Sequence, residues 1–175
     1  MPKLPLAKAM KNTYTFTTNV PPLQPPLGVN KYPQMPVPLA VADELLEDKS
    51  LVRVVLTFSN GLQTHRALRK NKNGETFISI GKSTLKEAKI EWGCDIEVSL
   101  HIDASEFGFA MPEELAELLK QDPEGDAAFR KLKPGNQRSF LYYIGSAKTI
   151  DTRINRALQL VNNLKAGIIS AGKPK

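Results

Sequence analysis

The 175-residue chain is 41% hydrophobic and 24% charged, and it carries a formal net charge of +6. These proportions are typical of a soluble globular protein, and the lone cysteine, Cys94, excludes both an internal disulfide framework and a cysteine-based zinc site. No apolar stretch reaches membrane-spanning length, and prolines and lysines interrupt the N-terminus before a signal peptide could form. We therefore expect a cytoplasmic protein that does not insert into a membrane.

Residues 12–104 are predicted to form a small β-barrel domain, after a loose N-terminus over residues 1–11. Short segments rich in β-branched and aromatic residues, bounded by turn residues, indicate the strands. They are Tyr14–Val20, Tyr32–Val37, Leu51–Phe58, Gln63–Arg69, Glu75–Ile80 and Asp95–Ile102. Asn60-Gly61 and Asn73-Gly74 favour tight turns, and the prolines of residues 21–38 favour an extended loop. Several short strands joined in this way are typical of a barrel.

Two short helices are predicted between these strands. The first, Leu39–Glu47, begins directly after Pro38, which suits a helix N-terminus. Thr84-Leu-Lys-Glu87 has the spacing of a capping box and would begin the second helix, which ends near Ile90.

Residues 105–167 are predicted to form a helical domain of three to four helices, followed by a flexible tail over residues 168–175. The predicted helices span residues 112–120, 123–132, 136–148 and 151–165. Ile154, Leu158, Val161 and Leu164 recur at helical spacing and predict one buried stripe on the last helix. The fold class is therefore α+β, with a barrel followed by a helical tail.

The charge is unevenly divided along the chain. Residues 129–175 carry ten Lys or Arg and a single acid, Asp151, which is a net charge of +9. Residues 1–128 carry fourteen basic and seventeen acidic side chains, a net charge of −3. Because cations alternate with aromatic residues in the basic segment, it is predicted to attract an anionic or aromatic ligand.

Six residues of the basic segment are candidates for binding a ligand or anion. They are Gln137, Arg138, Tyr143, Lys148, Arg153 and Arg156. Arg153 and Arg156 are neighbours on one helix surface, and Tyr143 could stack on a base or hold a guanidinium over its ring. The alternative is that these side chains pair inside the protein, with carboxylates or with backbone carbonyls. The sequence leaves both interpretations open.

No catalytic residue, metal site or cofactor is predicted. Ser146 and Lys148 stand two apart in a predicted helix and would face different sides, so they do not form a dyad. Cys94 shares the strand parity of Ile96 and Val98, which would direct its thiol into the core. His65 is expected to be exposed, and neither His65 nor His101 has carboxylates at ligand spacing.

Motifs along most of the chain match one family pattern. In the helical domain they are Pro112-Glu113-Glu114-Leu115, Phe129, Leu132-Lys-Pro134-Gly135, Gln137-Arg138, Tyr143-Ile144, Ser146-Ala147-Lys148 and Asp151-Thr152-Arg153-Ile154. In the barrel they are Asn60-Gly61, Gly74, the helix Ser83–Ile90, Gly93 and Ile96–Asp103. The chain thereby resembles the bacterial YdeI/OmpD-associated, or bacteriocin-protection, proteins. This resemblance implies a double-split β-barrel and a role in protection against antimicrobial agents.

The expected function is that of a non-enzymatic binding protein whose basic helical tail carries the ligand surface. Its partner would be another protein or an anionic ligand. By analogy with regulator-type barrels, the chain could also form a homodimer. The first alternative is a nucleic-acid-binding, regulator-like protein that contacts phosphates through the basic tail. The second alternative is an enzyme that uses Cys94.

Overall fold

The computed structural model describes residues 12–21 and 33–170, in two compact units that divide between Ala104 and Ser105. The loose N-terminus over residues 1–11, most of the proline-rich loop and the end of the predicted tail lie outside the described residues.

The first unit contains one antiparallel sheet of six strands. They are β1 (Tyr14–Asn19), β2 (Gln34–Pro36), β3 (Leu51–Phe58), β4 (Gln63–Lys70), β5 (Thr76–Ser79) and β6 (Asp95–Ile102). Their order in the sheet is β1-β6-β3-β4-β5-β2. The Thr18 hydroxyl on β1 donates to the Pro36 carbonyl on β2 at 2.7 Å and thus links the two end strands. The sheet is a nearly closed barrel, which confirms the prediction.

The alternation of apolar and polar residues explains why these strands curl around a core. On β6, Ile96, Val98 and Leu100 are buried, whereas Asp95 and Glu97 between them are exposed. Leu100 stands opposite Leu56 of β3 in the register, and both are fully buried. Burying one such side chain contributes about 1.5–3 kcal/mol. The predicted turns at Asn60-Gly61 and Asn73-Gly74 are present, with both glycines at φ +84°.

Two short helices, α1 (Leu39–Leu46) and α2 (Lys82–Ala88), accompany the strands. The prediction of α1 is confirmed, but the predicted capping box of α2 is wrong. Helix α2 begins after Gly81, so Thr84 lies within it and is buried. The Thr84 hydroxyl instead accepts a hydrogen bond from Arg66 of β4 at 2.6 Å, a partner that a local motif could not indicate.

The prediction that Cys94 points into the core is also wrong, because the thiol is exposed. Strand β6 begins only at Asp95, and Gly93 turns the chain just before Cys94 with φ +78°. The strand parity of Ile96 and Val98 therefore does not extend back to Cys94.

The second unit consists of four helices, which agrees with the predicted helical tail. They are α3 (Glu113–Gln121), α4 (Pro123–Arg130), α5 (Pro134–Gly145) and α6 (Ile150–Lys165). The other three helices pack against α6 around a core that includes Leu115, Phe129, Leu141, Ile144 and Leu160. Helix α5 ends three residues before Lys148, since Ser146 and Ala147 already belong to the turn toward α6. The class is α+β, as predicted.

The buried stripe of α6 differs from the predicted one. Ile154 and Leu158 are 41% and 42% exposed, whereas Val161 and Leu164 are buried as expected. Ala157 and Leu160 complete the buried face together with Val161 and Leu164. The helix is therefore rotated relative to the prediction, because the small Ala157 faces the neighbouring helices in place of the larger apolar residues.

Among residues 12–21 and 33–170 there is no helix long and apolar enough to cross a membrane. The same described ranges contain no group of three or more His, Cys, Asp or Glu side chains that could hold a metal ion.

Candidate functional site

Gln137, the first of the six predicted site residues, closes the end of a helix. Its side chain is only 7% exposed. The amide Nε2 donates to the carbonyl of Phe129 at 3.1 Å and more weakly to that of Arg130 at 3.5 Å. These carbonyls belong to the last turn of α4, and the Phe129 carbonyl also accepts a hydrogen bond from the Leu132 amide at 3.2 Å. Gln137 thus joins α5 to the end of α4.

Arg153 is held between two elements of the helical unit. Its Nε donates to Glu114 Oε1 at 2.6 Å, which connects α6 to the first turn of α3. A second guanidinium nitrogen donates to the Ala147 carbonyl at 3.2 Å. The hydrogen bond from Arg153 lowers the pKa of Glu114 below its usual value. The guanidinium of Arg153 is therefore hydrogen-bonded both to Glu114 and to the Ala147 carbonyl.

Arg156 is engaged at the same end of α5. It donates to the Tyr143 carbonyl and, at 3.3 Å, to the Ser146 hydroxyl. Its guanidinium lies 4.2 Å from the centroid of the Tyr143 ring, within the range of a cation–π contact. Two guanidiniums thus approach the C-terminal end of α5, which carries the negative pole of the helix dipole. The geometry favours the internal interpretation for Gln137, Tyr143, Arg153 and Arg156.

Two further cations of the basic segment are neutralised by acids within the helical unit. Arg130 donates to Asp126 at 2.7 Å and to Glu106 at 2.6 Å, and these bonds raise its pKa above the usual value. Lys165 lies 2.8 Å from Asp122 and 3.8 Å from Glu124. Half of the eight basic residues between positions 129 and 170 are therefore used for internal contacts.

The other four basic side chains make no ion pair or hydrogen bond with any described residue. They are Lys131, Lys133, Arg138 and Lys148. Arg138 and Lys148 belong to the predicted site, whereas Lys131 and Lys133 were not singled out by the sequence analysis. The signal that could have identified them is the Lys-Leu-Lys run before Pro134-Gly135, since a turn between two helices leaves such lysines facing solvent.

Lys131 and Lys133 border a groove of about 640 Å³ between α4 and the end of α6. Its apolar lining comes from Ala127, Ala128, Leu132, Leu164 and Ile169. Lys165 and Glu124 also line the groove and lie 3.8 Å apart. The groove is thus an apolar surface that has unpaired positive charge along one border.

The barrel unit offers less for ligand binding. A depression of about 560 Å³ is lined by Asp43, Asp48, Lys49 and Lys70, among others. Lys70 pairs with Asp43 at 2.8 Å, and Lys49 lies 3.9 Å from Glu47. The two carboxylates and two ammonium groups of the lining also balance, so little net charge remains to attract a ligand.

His65 has a carboxylate partner that the sequence analysis missed. His65 Nδ1 lies 2.8 Å from Asp103 Oδ2, and the two side chains are 21% and 1% exposed. The expectation of an exposed ring is therefore wrong. The two residues are 38 positions apart, so only the pairing of the strands brings them together.

The Asp122–Lys165 pair beside the groove predicts a specific pH dependence. Hydrogen bonds from Lys165 and from the Gly125 amide lower the pKa of Asp122. A carboxyl group whose pKa is lower in the folded protein than in the unfolded chain stabilises the folded state at pH values above its unfolded-state pKa. This stabilisation is lost as the pH falls through the folded-state pKa. We expect Asp122→Asn to lower the melting temperature at pH 7 and the difference from wild type to shrink as the pH falls below about 4.

Asparagine can still cap α4 by accepting the hydrogen bond from the Gly125 amide, so this substitution isolates the charge. Asp151→Asn, an exposed acid in the first turn of α6, is the matched control. Melting curves at several pH values provide the measurement. A difference for Asp122→Asn that stays constant down to about pH 3 would show that the ion pair does not stabilise the fold.

Comparison with known proteins finds a family match within the helical unit. Residues 108–167 match the family model described as Bacteriocin-protection, YdeI or OmpD-Associated. The match covers helices α3 to α6 and confirms the resemblance that their motifs indicated. No curated protein matches the chain, and no solved structure matches it.

Proposed function

We propose that the chain is a non-enzymatic interaction protein that contributes to protection against bacteriocins or related antimicrobial agents, and that its helical unit binds an anionic partner protein. The four unpaired cations carry this proposal: Lys131, Lys133, Arg138 and Lys148. The family description supports the process, because it names bacteriocin protection, and it supports a protein partner, because it names an association.

The sign of the charge decides between two ways of protecting a cell. The unpaired cations of the helical unit repel a cationic antimicrobial peptide that approaches them and attract an anionic surface. Direct capture of a cationic agent at these residues is therefore disfavoured. Protection would instead act through a partner with an acidic surface, which the unpaired lysines and Arg138 would steer into place.

The non-enzymatic assignment rests on how the polar groups of the helical unit are used. The Ser146 hydroxyl donates to the Tyr143 carbonyl at 3.0 Å and accepts from Arg156 at 3.3 Å. A serine nucleophile requires a base that accepts its proton, and here a backbone carbonyl occupies that position. Ser146 thus helps to end α5.

A survival assay tests the proposed function. A susceptible bacterial strain that expresses the wild-type chain should tolerate a higher concentration of a cationic antimicrobial peptide. The fourfold variant Lys131→Gln, Lys133→Gln, Arg138→Gln, Lys148→Gln should lose this gain, because it removes the unpaired cations and leaves the internal ion pairs in place.

The matched control removes the same amount of charge from the barrel unit. Lys72→Gln, Lys82→Gln, Lys86→Gln, Lys89→Gln changes four exposed lysines and should keep full protection. Equal protection by the helical variant and wild type would contradict the proposal. Loss of salt-dependent binding to random DNA in the helical variant, with protection unchanged, would point to the nucleic-acid alternative instead.

A further inference from the structure

We propose that the groove between α4 and α6 receives the apolar side chains of an acidic, amphipathic segment of the partner protein. This inference rests on the proposed function, which supplies an anionic partner, and it adds the place and the chemistry of the contact.

The groove exists because small side chains line it on α4. Ala127 and Ala128 leave room where larger residues would fill the space against the last turn of α6. Leu132 is half-buried and Ile169 is 63% exposed, so apolar surface remains in contact with water. Covering this surface with apolar side chains of a partner is favourable because it removes apolar area from water.

The charges around the groove orient the occupant. Lys131 and Lys133 stand on the side formed by the turn between α4 and α5, and neither has an acidic partner among the described residues. Lys165 is already paired with Asp122, and Glu124 adds a carboxylate in the first turn of α4, seven residues before Lys131. Acidic residues of a bound segment would therefore lie beside Lys131 and Lys133 and away from Glu124.

A protein segment fits this groove better than a small amphiphile does. The volume of about 640 Å³ accommodates several side chains, but the groove is open on one side. A small amphiphile would leave much of its apolar body in water there. An amphipathic helix covers such a groove with its own polar face while apolar residues at helical spacing enter it.

Fluorescence polarisation with a labelled peptide tests the inference on the full-length protein. The probe is a peptide of about 14 residues with leucines at i, i+3, i+4 and i+7 and glutamates elsewhere. We expect saturable binding that weakens with salt. Lys131→Glu should weaken it about tenfold, because a favourable contact becomes a repulsive one.

Two further variants separate the groove from general attraction of charge. Lys86→Glu makes the same charge change at an exposed lysine of the barrel unit, outside the groove, and should weaken binding by less than about twofold. Ala127→Trp places a large side chain in the groove from an exposed position on α4 and should abolish binding. Melting curves of all variants verify that they remain folded.

The outcomes distinguish this inference from the proposed function. Equal binding of a scrambled peptide of the same composition, or unchanged binding by Ala127→Trp, would refute the groove as the binding site of an amphipathic segment. Failure of the peptide to bind, together with binding of anionic vesicles or single-stranded DNA that Ala127→Trp abolishes, would show that the groove takes a different ligand. That result would overturn the inference. If the peptide does not bind while the fourfold helical variant loses protection, the proposed function stands and only the groove assignment is wrong.

Discussion

Replacing Gly125 with alanine is expected to destabilise the helical unit by about 1–2 kcal/mol, although alanine is the better helix former. A Cβ atom at Gly125 would lie 2.5 Å from Val161 Cγ1 and 3.1 Å from Asp122 Cγ. Val161 is β-branched and 1% exposed, so it has little freedom to move aside. Helices α4 and α6 would have to separate, which costs about 1–3 kcal/mol against a propensity gain of up to about 1 kcal/mol.

Calorimetric melting of the full chain measures this effect as a decrease of roughly 5–15 °C in the transition of the helical unit. Gly135→Ala in α5 is the matched control, because a Cβ there meets nothing within 4 Å. Adding Val161→Ala to Gly125→Ala should give a smaller loss than the two single changes added together. If Gly125→Ala melts like Gly135→Ala, the close approach of α4 and α6 is refuted.

Replacing Arg153 with methionine is expected to lower the melting temperature of the helical unit by roughly 5–15 °C at neutral pH. Methionine keeps most of the apolar stem but leaves the Glu114 carboxylate, which is 13% exposed, without its cation. It also leaves the Ala147 carbonyl without its donor. Partly buried groups that lose a charged partner destabilise a fold more than exposed ones do.

The effect of Arg153→Met on the melting temperature should depend on pH. Because Arg153 lowers the pKa of Glu114, the pair stabilises the fold above the ordinary carboxyl pKa and loses its effect as the pH falls below about 4. The difference between wild type and Arg153→Met should therefore narrow in acid, and adding Glu114→Gln should recover part of it at pH 7. Lys148→Met, which removes an unpaired cation, is the control and should change little. If Arg153→Met melts like wild type but loses partner binding, the internal role of Arg153 is contradicted and Arg153 belongs to the ligand-binding surface.

The fold was largely predictable because its signals are local. The strands follow from alternation within a few residues, and the turns at Asn60-Gly61 and Asn73-Gly74 follow from the backbone freedom of glycine. The errors lie where packing decides which residues of a local pattern are buried. Helix α2 begins after Gly81, so Thr84 is buried in it and accepts from Arg66, and α6 buries Ala157 and Leu160 where the pattern predicted Ile154 and Leu158.

The candidate site could be predicted only in part. The basic segment was evident, and Arg138 and Lys148 keep the unpaired character that the ligand interpretation requires. The groove beside Lys131 and Lys133 was not predictable, because a groove has no sequence motif. It arises only when two helices that are distant in the chain pack together.

The sequence by itself determined the α+β class, the barrel strands, the four C-terminal helices and the excess of positive charge near the C-terminus. Only the tertiary structure decided which of those charges are available to a partner. Glu114 lies 39 residues before Arg153, and Asp122 lies 43 residues before Lys165. Ion pairs form where packing brings opposite charges within a few ångströms, and the order of residues along the chain does not state those distances.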